Sequence, residues 1–283
     1  MGGADVIPGV SGGTMALIVG IYERLVGAIS SAVSLGLACL RWDTDAIRTH
    51  WTAVPWTLVF PLALGIGGAI AVGAHVIPAL MSSHPEQMRG LFLGLVGASL
   101  LIPALRMQRG TALHGVIGLG AAALAFYLTG LPVLDASDPG LLRIFLSAAV
   151  AICAMILPGV SGAFLLEALG VYTPTLTALK TLDGPFVLTF AAGAAVGLGA
   201  FAKLLDWLLT HRHDATMAAL IGLIAGALRS LWPYVDAQHT LRLPTAADPV
   251  GSVLGLCLAG FGAVLLLLWW ERRTAADAVS PTP

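Results

Sequence analysis

From Thr49 to Pro85 the chain runs 37 residues without an Asp, Glu, Lys or Arg. Further charge-free runs cover 90–105, 110–134, 144–166, 184–202, 215–228 and 249–270, and two apolar runs, 6–22 and 25–40, precede them all. About 20 apolar residues cross a bilayer, so the shortest of these runs carry a charge at one end of a span. With 14 basic and 15 acidic residues among 283, the chain cannot clothe a water-soluble surface. A polytopic membrane protein follows. The net charge of −1 offers no basic face for phosphate neutralisation, which excludes a nucleic-acid binder. Cys39, Cys153 and Cys257 sit inside apolar runs without metal or disulfide spacing and read as small hydrophobes. The N-terminus lacks the basic n-region of a cleavable signal peptide.

Loop charge gives an orientation. Arg41, Arg48, Arg106, Arg109, Arg212, Arg272 and Arg273 fall in one set of alternate loops; Arg89, Arg143, Lys180 and Arg242 fall in the other. The basic excess assigns the first set, and with it the C-terminus, to the cytoplasm. Gly65, Gly68 and the GxxxG of Gly193 and Gly197 suggest close helix contacts, either packing within the chain or the face of a homodimer.

An internal repeat carries more information still. Residues 7–22 read IPGVSGGTMALIVGIY and residues 157–172 read LPGVSGAFLLEALGVY. At an offset of 150, Pro8, Gly9, Val10, Ser11, Gly12, Gly20 and Tyr22 recur as Pro158, Gly159, Val160, Ser161, Gly162, Gly170 and Tyr172. At a shorter offset, LALGIGGAIAVGA (62–74) resembles FAAGAAVGLGAFA (190–202), and FLGLVGAS (92–99) resembles LIGLIAGAL (220–228). The loop charges start span 57–80 in the cytoplasm and its counterpart 186–209 outside, so the halves have opposite orientation. The expected fold is an all-α polytopic membrane protein of two inverted-topology repeats with re-entrant or broken helices. The expected boundaries are 1–134 and 135–273, followed by a disordered tail at 274–283.

The PGVSG blocks supply the breaks. Proline kinks or starts a helix, and Ser, Gly and Thr cap the one that follows. A helix N-terminus inside the membrane presents free N–H groups to an anion, a phosphate or carboxylate above all. Two such ends would surround one anionic group with Gly9, Ser11, Gly12, Gly13 and Thr14 from the first block and Ser161 and Gly162 from the second. A structural kink is the plainer alternative. Duplication of the whole block in opposed halves favours a substrate site.

The segments GADVIPGVSGGTMALIVGIYERL, MILPGVSGAFLLEALGVY and HDATMAALIGLIAGALRSLWPY resemble the signature segments of the polyprenyl-phosphate transporter family, and the resemblance covers nearly the whole chain. It implies a translocase of the bacterial or archaeal cytoplasmic membrane that returns undecaprenyl phosphate to the cytoplasmic leaflet, coupled to an ion or proton gradient. The implied partners are the polyprenyl phosphate lipid and the membrane; no cofactor and no metal are expected. A phosphate head on a long tail needs a polar cavity for the head alone, because buried charge is costly. Arg229, about four turns into a span, is then a candidate phosphate ligand. Arg24 can bind phosphate, pair with Glu23 or lie at the interface. Asp5, Glu23 and Glu167 are candidate coupling carboxylates, Glu167 on the premise that it is buried. His211, His213 and Asp214 lack a third metal ligand. By symmetry a helix is expected before the first block, and only seven residues stand there, which leaves the surroundings of Asp5 open.

Two other classes stand beside the transporter. A membrane polyprenyl-diphosphate phosphatase also uses inverted repeats and a serine-containing segment, but needs Glu, Arg and His or metal around the phosphoanhydride. Here Gly-Gly and Gly-Ala follow PGVS. A passive channel or scramblase is the third reading.

Overall fold

A computed structural model describes residues 12–131, 139–158, 160–235, 241–246 and 248–279. The expected all-helical architecture is what forms. In order, the helices are α1 (Gly12–Ile18), α2 (Tyr22–Leu40), α3 (Thr44–Ala53), α4 (Trp56–Ser83), α5 (Pro85–Ser99), α6 (Leu101–Arg106), α7 (Ala112–Leu128), α8 (Leu141–Ile156), α9 (Gly162–Ala168), α10 (Tyr172–Thr181), α11 (Gly184–His211), α12 (His213–Ala227), a 3-10 turn (Leu228–Leu231) and α13 (Val250–Val279). Among the described residues, 85–106, 184–211, 213–231 and 250–270 are long and apolar enough to cross a membrane. Two bent pairs raise the number to six: α3 with the first part of α4, at 71°, and α9 with α10, at 101°. The chain is a multi-pass membrane protein.

Local chemistry sets the helix ends. Asp43 accepts a hydrogen bond from Ala46 N at 3.0 Å to start α3, and Asp183 accepts one from Phe186 N at 3.2 Å to start α11. Each uses a carboxylate to satisfy an N–H that the first helical turn leaves open. α13 runs to Val279, into the segment expected as a tail; residues 280–283 lie outside the described set. The apolar run 144–166, expected as one charge-free stretch, is broken: α8 stops at Ile156 and α9 starts afresh at Gly162.

The shorter-offset repeat is visible element by element. α4 and α11 both have 28 residues, α5 and α12 both have 15, and each pair starts 128 positions apart (184 − 56 and 213 − 85). The residues joining them adopt matching backbones: His84 at φ −139, ψ 59 and Arg212 at φ −135, ψ 42. The breaks after α5 and α12 match too, with Leu100 at φ −56, ψ −30 and Leu228 at φ −55, ψ −21.

Glycines fix the tertiary pairing. On α12, the Cβ positions of Gly222 and Gly226 fall on the backbone carbonyls of Gly118 and Ala122 of α7. On α5, those of Gly90 and Gly94 fall on the Val253 and Cys257 carbonyls of α13. On α11, those of Gly193 and Gly197 fall on the Phe145 and Ala149 carbonyls of α8, so this GxxxG packs within the chain. In all three pairs a step of four residues on one helix matches a step of four in the same sense on the other, so the partners run parallel. α5 and α12, equivalent helices, thus each pack on a helix from the other half. Gly65 and Gly68, by contrast, meet nothing within 4 Å. Around these contacts lies the main core, where Leu17, Tyr22, Val96, Met217, Leu220 and Ile224 are almost wholly enclosed.

One loop is clamped by charge. Arg242 donates to both carboxylate oxygens of Asp248, at 2.6 and 2.7 Å, and lies 3.6 Å from Glu86 at the start of α5. Asp248 also accepts from Thr245, and Trp232 Nε1 donates to the Arg242 carbonyl at 2.9 Å. The Arg242 guanidinium, with the Thr245 N–H, holds the Asp248 carboxyl far below the usual carboxylate range. A carboxylate that binds its proton less tightly when folded stabilises the fold fully above the ordinary aspartate pKa of about 4, and less as pH falls below it.

Two measurements test this packing. Gly222→Leu should lower the melting temperature in detergent, by the equivalent of about 1–3 kcal/mol of overpacking, whereas Gly67→Leu, with nothing within 4 Å of its Cβ position, should leave it unchanged. Between pH 5 and pH 3 the wild-type melting temperature should fall more than that of Asp248→Asn, in which the clamp is already lost.

Candidate functional site

The second motif forms the tip of a helical hairpin. Leu157 leaves α8 in an extended conformation, φ −73, ψ 132, as a residue before proline prefers. Ser161 is also extended, and its Oγ accepts a hydrogen bond from Phe164 N at 3.3 Å, capping α9. That contact uses a lone pair and leaves the Ser161 O–H as a donor. α9 then folds back along α8: the Gly162 Cβ position would lie 2.6 Å from the Ala151 carbonyl oxygen, and Arg143, near the start of α8, donates to the Leu169 carbonyl at 2.6 Å. The chain turns out of α9 through Gly170 at φ 69, with Gly170 N bonded to Glu167 O at 2.9 Å and Val171 N to Leu166 O at 2.8 Å.

The first motif repeats that exit. Gly20 has φ 73, Gly20 N bonds to Leu17 O at 3.1 Å and Ile21 N to Ala16 O at 2.9 Å. Both are the paired 6→1 and 5→2 bonds of a glycine-terminated helix. Gly12, Gly13 and Thr14 open α1 and are all buried. Asp5, Gly9 and Ser11 lie outside the described residues, as does Gly159.

The two motifs meet. A Cβ on Gly13 would lie 2.5 Å from the Ile156 carbonyl oxygen and 3.3 Å from the Leu157 carbonyl carbon, the residues that lead into the second motif. Thr14 is fully enclosed and Ser161 nearly so. The walls are apolar: Val160 and Leu165 pack with Ala125 of α7, Ala154 of α8 and Leu223 of α12. Ile156, Val160 and Leu165 are themselves buried, so the hairpin tip is enclosed by the packed helices.

The charged candidates are dispersed. Arg229 lies within the apolar span 213–231, as the sequence suggested, but past the end of α12 at Ala227: it stands in the 3-10 turn, half-buried. Its Nη1 donates to the Phe126 carbonyl at 3.1 Å, near the end of α7, and its guanidinium lies 4.5 Å from the Phe126 ring centre. Arg229 is six residues beyond Leu223 of the site wall, roughly 9 Å by helical rise. Glu167 is exposed, which removes the premise of a buried carboxylate, because its position on α9 faces away from α8. Arg24 is exposed and is not the partner of Glu23. Glu23 instead pairs with Arg106 Nη1 at 3.2 Å and lies 3.7 Å from His213 Nε2. His211 stacks on Trp207 and contacts the Trp207 carbonyl at 3.0 Å. Among the described residues no group of three His, Cys, Asp or Glu could hold a metal ion.

Sequence reasoning passed over Arg143 and the partnership of Glu23, Arg106 and His213. Arg143 and Arg106 entered it only as loop charges. Nothing local marks them, since their partners lie 26 and 83 positions away.

A family model described as undecaprenyl phosphate translocase-like matches residues 1–247. A Vibrio cholerae protein named polyprenyl-phosphate transporter is 37% identical over 239 residues, covering 83% of this chain and 76% of the relative. A Staphylococcus aureus protein of the same name is 28% identical over 251 residues, covering 82% of this chain and 83% of the relative. No solved structure matches at a significant level. The paired motif helices thus belong to a recognised lineage: the chain is a member of the undecaprenyl phosphate translocase-like family.

Proposed function

We propose that this protein translocates a polyprenyl phosphate, undecaprenyl phosphate in the first instance, across the cytoplasmic membrane, returning it to the cytoplasmic leaflet at the expense of an ion or proton gradient. The observation that carries the reading is the contact of Gly13 with Ile156 and Leu157, which joins two copies of one motif inside a bundle of apolar helices. The relatives' shared name, polyprenyl-phosphate transporter, supports the same substrate.

Inverted repeats fit the helix directions. α4 and α5 meet at a one-residue turn, as do α11 and α12, and α6 and α7 are joined by five residues, 107–111. If each connection reverses the chain, α7 runs with α4 and against α5, and the parallel pairing of α7 with α12 sets α4 against α11. The halves 1–134 and 135–273 would then be related by a two-fold axis in the membrane plane, as in alternating-access transporters. The excess of arginine in the loops with Arg41, Arg106, Arg212 and Arg273 assigns that face, and the C-terminus, to the cytoplasm.

The phosphate head would be received by the N–H groups of Gly12, Gly13, Thr14 and Gly162 and by the Thr14 and Ser161 hydroxyls, with Gly9 and Ser11 completing the first motif. The isoprenoid tail stays among lipid and the apolar walls. α1 and α9 have seven residues each, so their end charges are small. A phosphate with one to two negative charges in an apolar cavity needs a full positive charge as well. Arg229 is the nearest candidate, exchanging the Phe126 carbonyl for a phosphate oxygen; Arg24 would meet the lipid head at the cytoplasmic face.

The test is uptake of labelled polyprenyl phosphate into vesicles holding equal amounts of folded protein. Arg229→Ala should reduce uptake about tenfold or more, since a hydrogen bond to a charged group contributes roughly 1.5–3 kcal/mol. Arg229→Lys should retain part of the activity, having charge without the planar fork. Wild-type uptake in Arg229→Ala with a lowered melting temperature would show that Arg229 only caps α7. Release of inorganic phosphate would mark a phosphatase, and gradient-independent flipping a scramblase.

A further inference from the structure

α12 begins at His213, directly after the turn at Arg212, and its ring lies between two carboxylates. Nε2 is 3.7 Å from Glu23 Oε1, and Nδ1 is 3.5 Å from Asp214 Oδ1. These are distances for charge attraction, and the buried Nδ1 has no partner in hydrogen-bonding geometry among the described residues. A neutral imidazole has one N–H and one lone pair. Whichever nitrogen carries the proton, the other aims its lone pair at a carboxylate. Only the doubly protonated ring offers an N–H to both.

The surrounding charges are few. Glu23 comes from α2, Arg106 from α6 and Asp214 from α12 itself. Arg106 is engaged with Glu23 at 3.2 Å. Asp214 accepts from Gln108 N at 2.8 Å and Arg109 N at 2.9 Å, which anchors it as an anion. The neighbouring titratable rings are committed to backbone: His114 of α7 contacts the Arg109 carbonyl at 2.9 Å, and His211 of α11 contacts the Trp207 carbonyl. Arg24, Arg109 and Arg212 stand at the same helix ends, and Asp206 lies on α11 near Gly27 of α2.

Glu23 joins this cluster to the first motif. It stands in the first turn of α2, next to Tyr22, whose ring is fully buried and whose Oη has no hydrogen-bond partner among the described residues. α1, carrying Gly12, Gly13 and Thr14, ends only four residues earlier (22 − 18). Among the described residues the other half shows no equivalent tie. At the offset of 150 Glu23 becomes the exposed Thr173, and at 128 His213 becomes Pro85. A group that can take up a proton therefore fastens the base of one motif and not of its twin.

We propose that His213 is a proton-binding site: with a proton bound it ties α2, and through it the first motif helix, to α12, beside the Glu23–Arg106 pair that holds α2 to α6, and loss of the proton loosens the α2–α12 tie. The ligand is the proton, and the conformational element is the α1–α2 corner. The role in coupling rests on the transporter reading above; the protonation chemistry does not.

The experiment is a histidine NMR titration from pH 5 to 9 on the full chain in micelles, with His213 identified by the signal absent from His213→Gln. Glu23→Gln, which removes one facing carboxylate, should lower the His213 midpoint. Arg106→Gln, which removes the cation competing for Glu23, should raise it. An unchanged midpoint in both variants overturns the site. In vesicles, wild-type uptake of labelled polyprenyl phosphate should vary with pH across the His213 titration, and His213→Gln should lose that component, keeping only the dependence set by the phosphate's own second ionisation near about pH 6. A His213→Gln profile parallel to wild type overturns the coupling role. Absence of uptake by wild type would instead sink the transporter reading, with the titration still deciding the proton site.

Discussion

Helix backbones in this protein touch, and the rest of the structure depends on it. In lipid there is little hydrophobic gain from pressing one apolar helix on another, so association relies on close van der Waals packing. Glycine allows that closeness. At Gly94, Gly193, Gly222 and Gly226 the place of a side chain is taken by a carbonyl of the neighbouring helix. These contacts join α5 to α13 and α7 to α12, which tie each half of the chain to the other, and α8 to α11 within the second half.

The same pairing explains how a broken helix survives inside the bundle. Ending α1 and α9 after seven residues leaves peptide groups without helical partners, which is costly in an apolar medium. The left-handed turns at Gly20 and Gly170 return two N–H groups to each helix end, and Ser161 supplies the opening cap of α9. Arg143 takes up the Leu169 carbonyl in the second half.

Charge is confined to the ends and is distributed unequally. One end carries the Arg242–Asp248–Glu86 clamp, confined to a loop and the start of α5. Asp214, 128 positions after Glu86, occupies the matching place at the start of α12 and holds the loop after α6 through Gln108 and Arg109. Among the described residues, this cluster reaches a motif, through Glu23. Two ends built alike but fastened differently give a bundle a means of responding at one face.

The sequence alone determined the class and the modular plan. Absence of charge over long runs requires helices in lipid, and two copies of PGVSG, with the weaker similarities between 62–99 and 190–228, predict the equivalence of α4–α5 with α11–α12 seen in the structure. These features were legible because proline, glycine and hydropathy act on nearby backbone. The meeting of Gly13 with Ile156, the turn that carries Arg229 to the Phe126 carbonyl and the pairing of Glu23 with Arg106 and His213 were decided by tertiary structure. Each joins residues 80 to 190 positions apart (106 − 23, 213 − 23), and which face of each helix turns inward follows from all the glycine contacts together. Glu167 makes the same point in reverse: its neighbours in sequence are apolar, yet the direction in which α9 folds back on α8 leaves its carboxylate exposed.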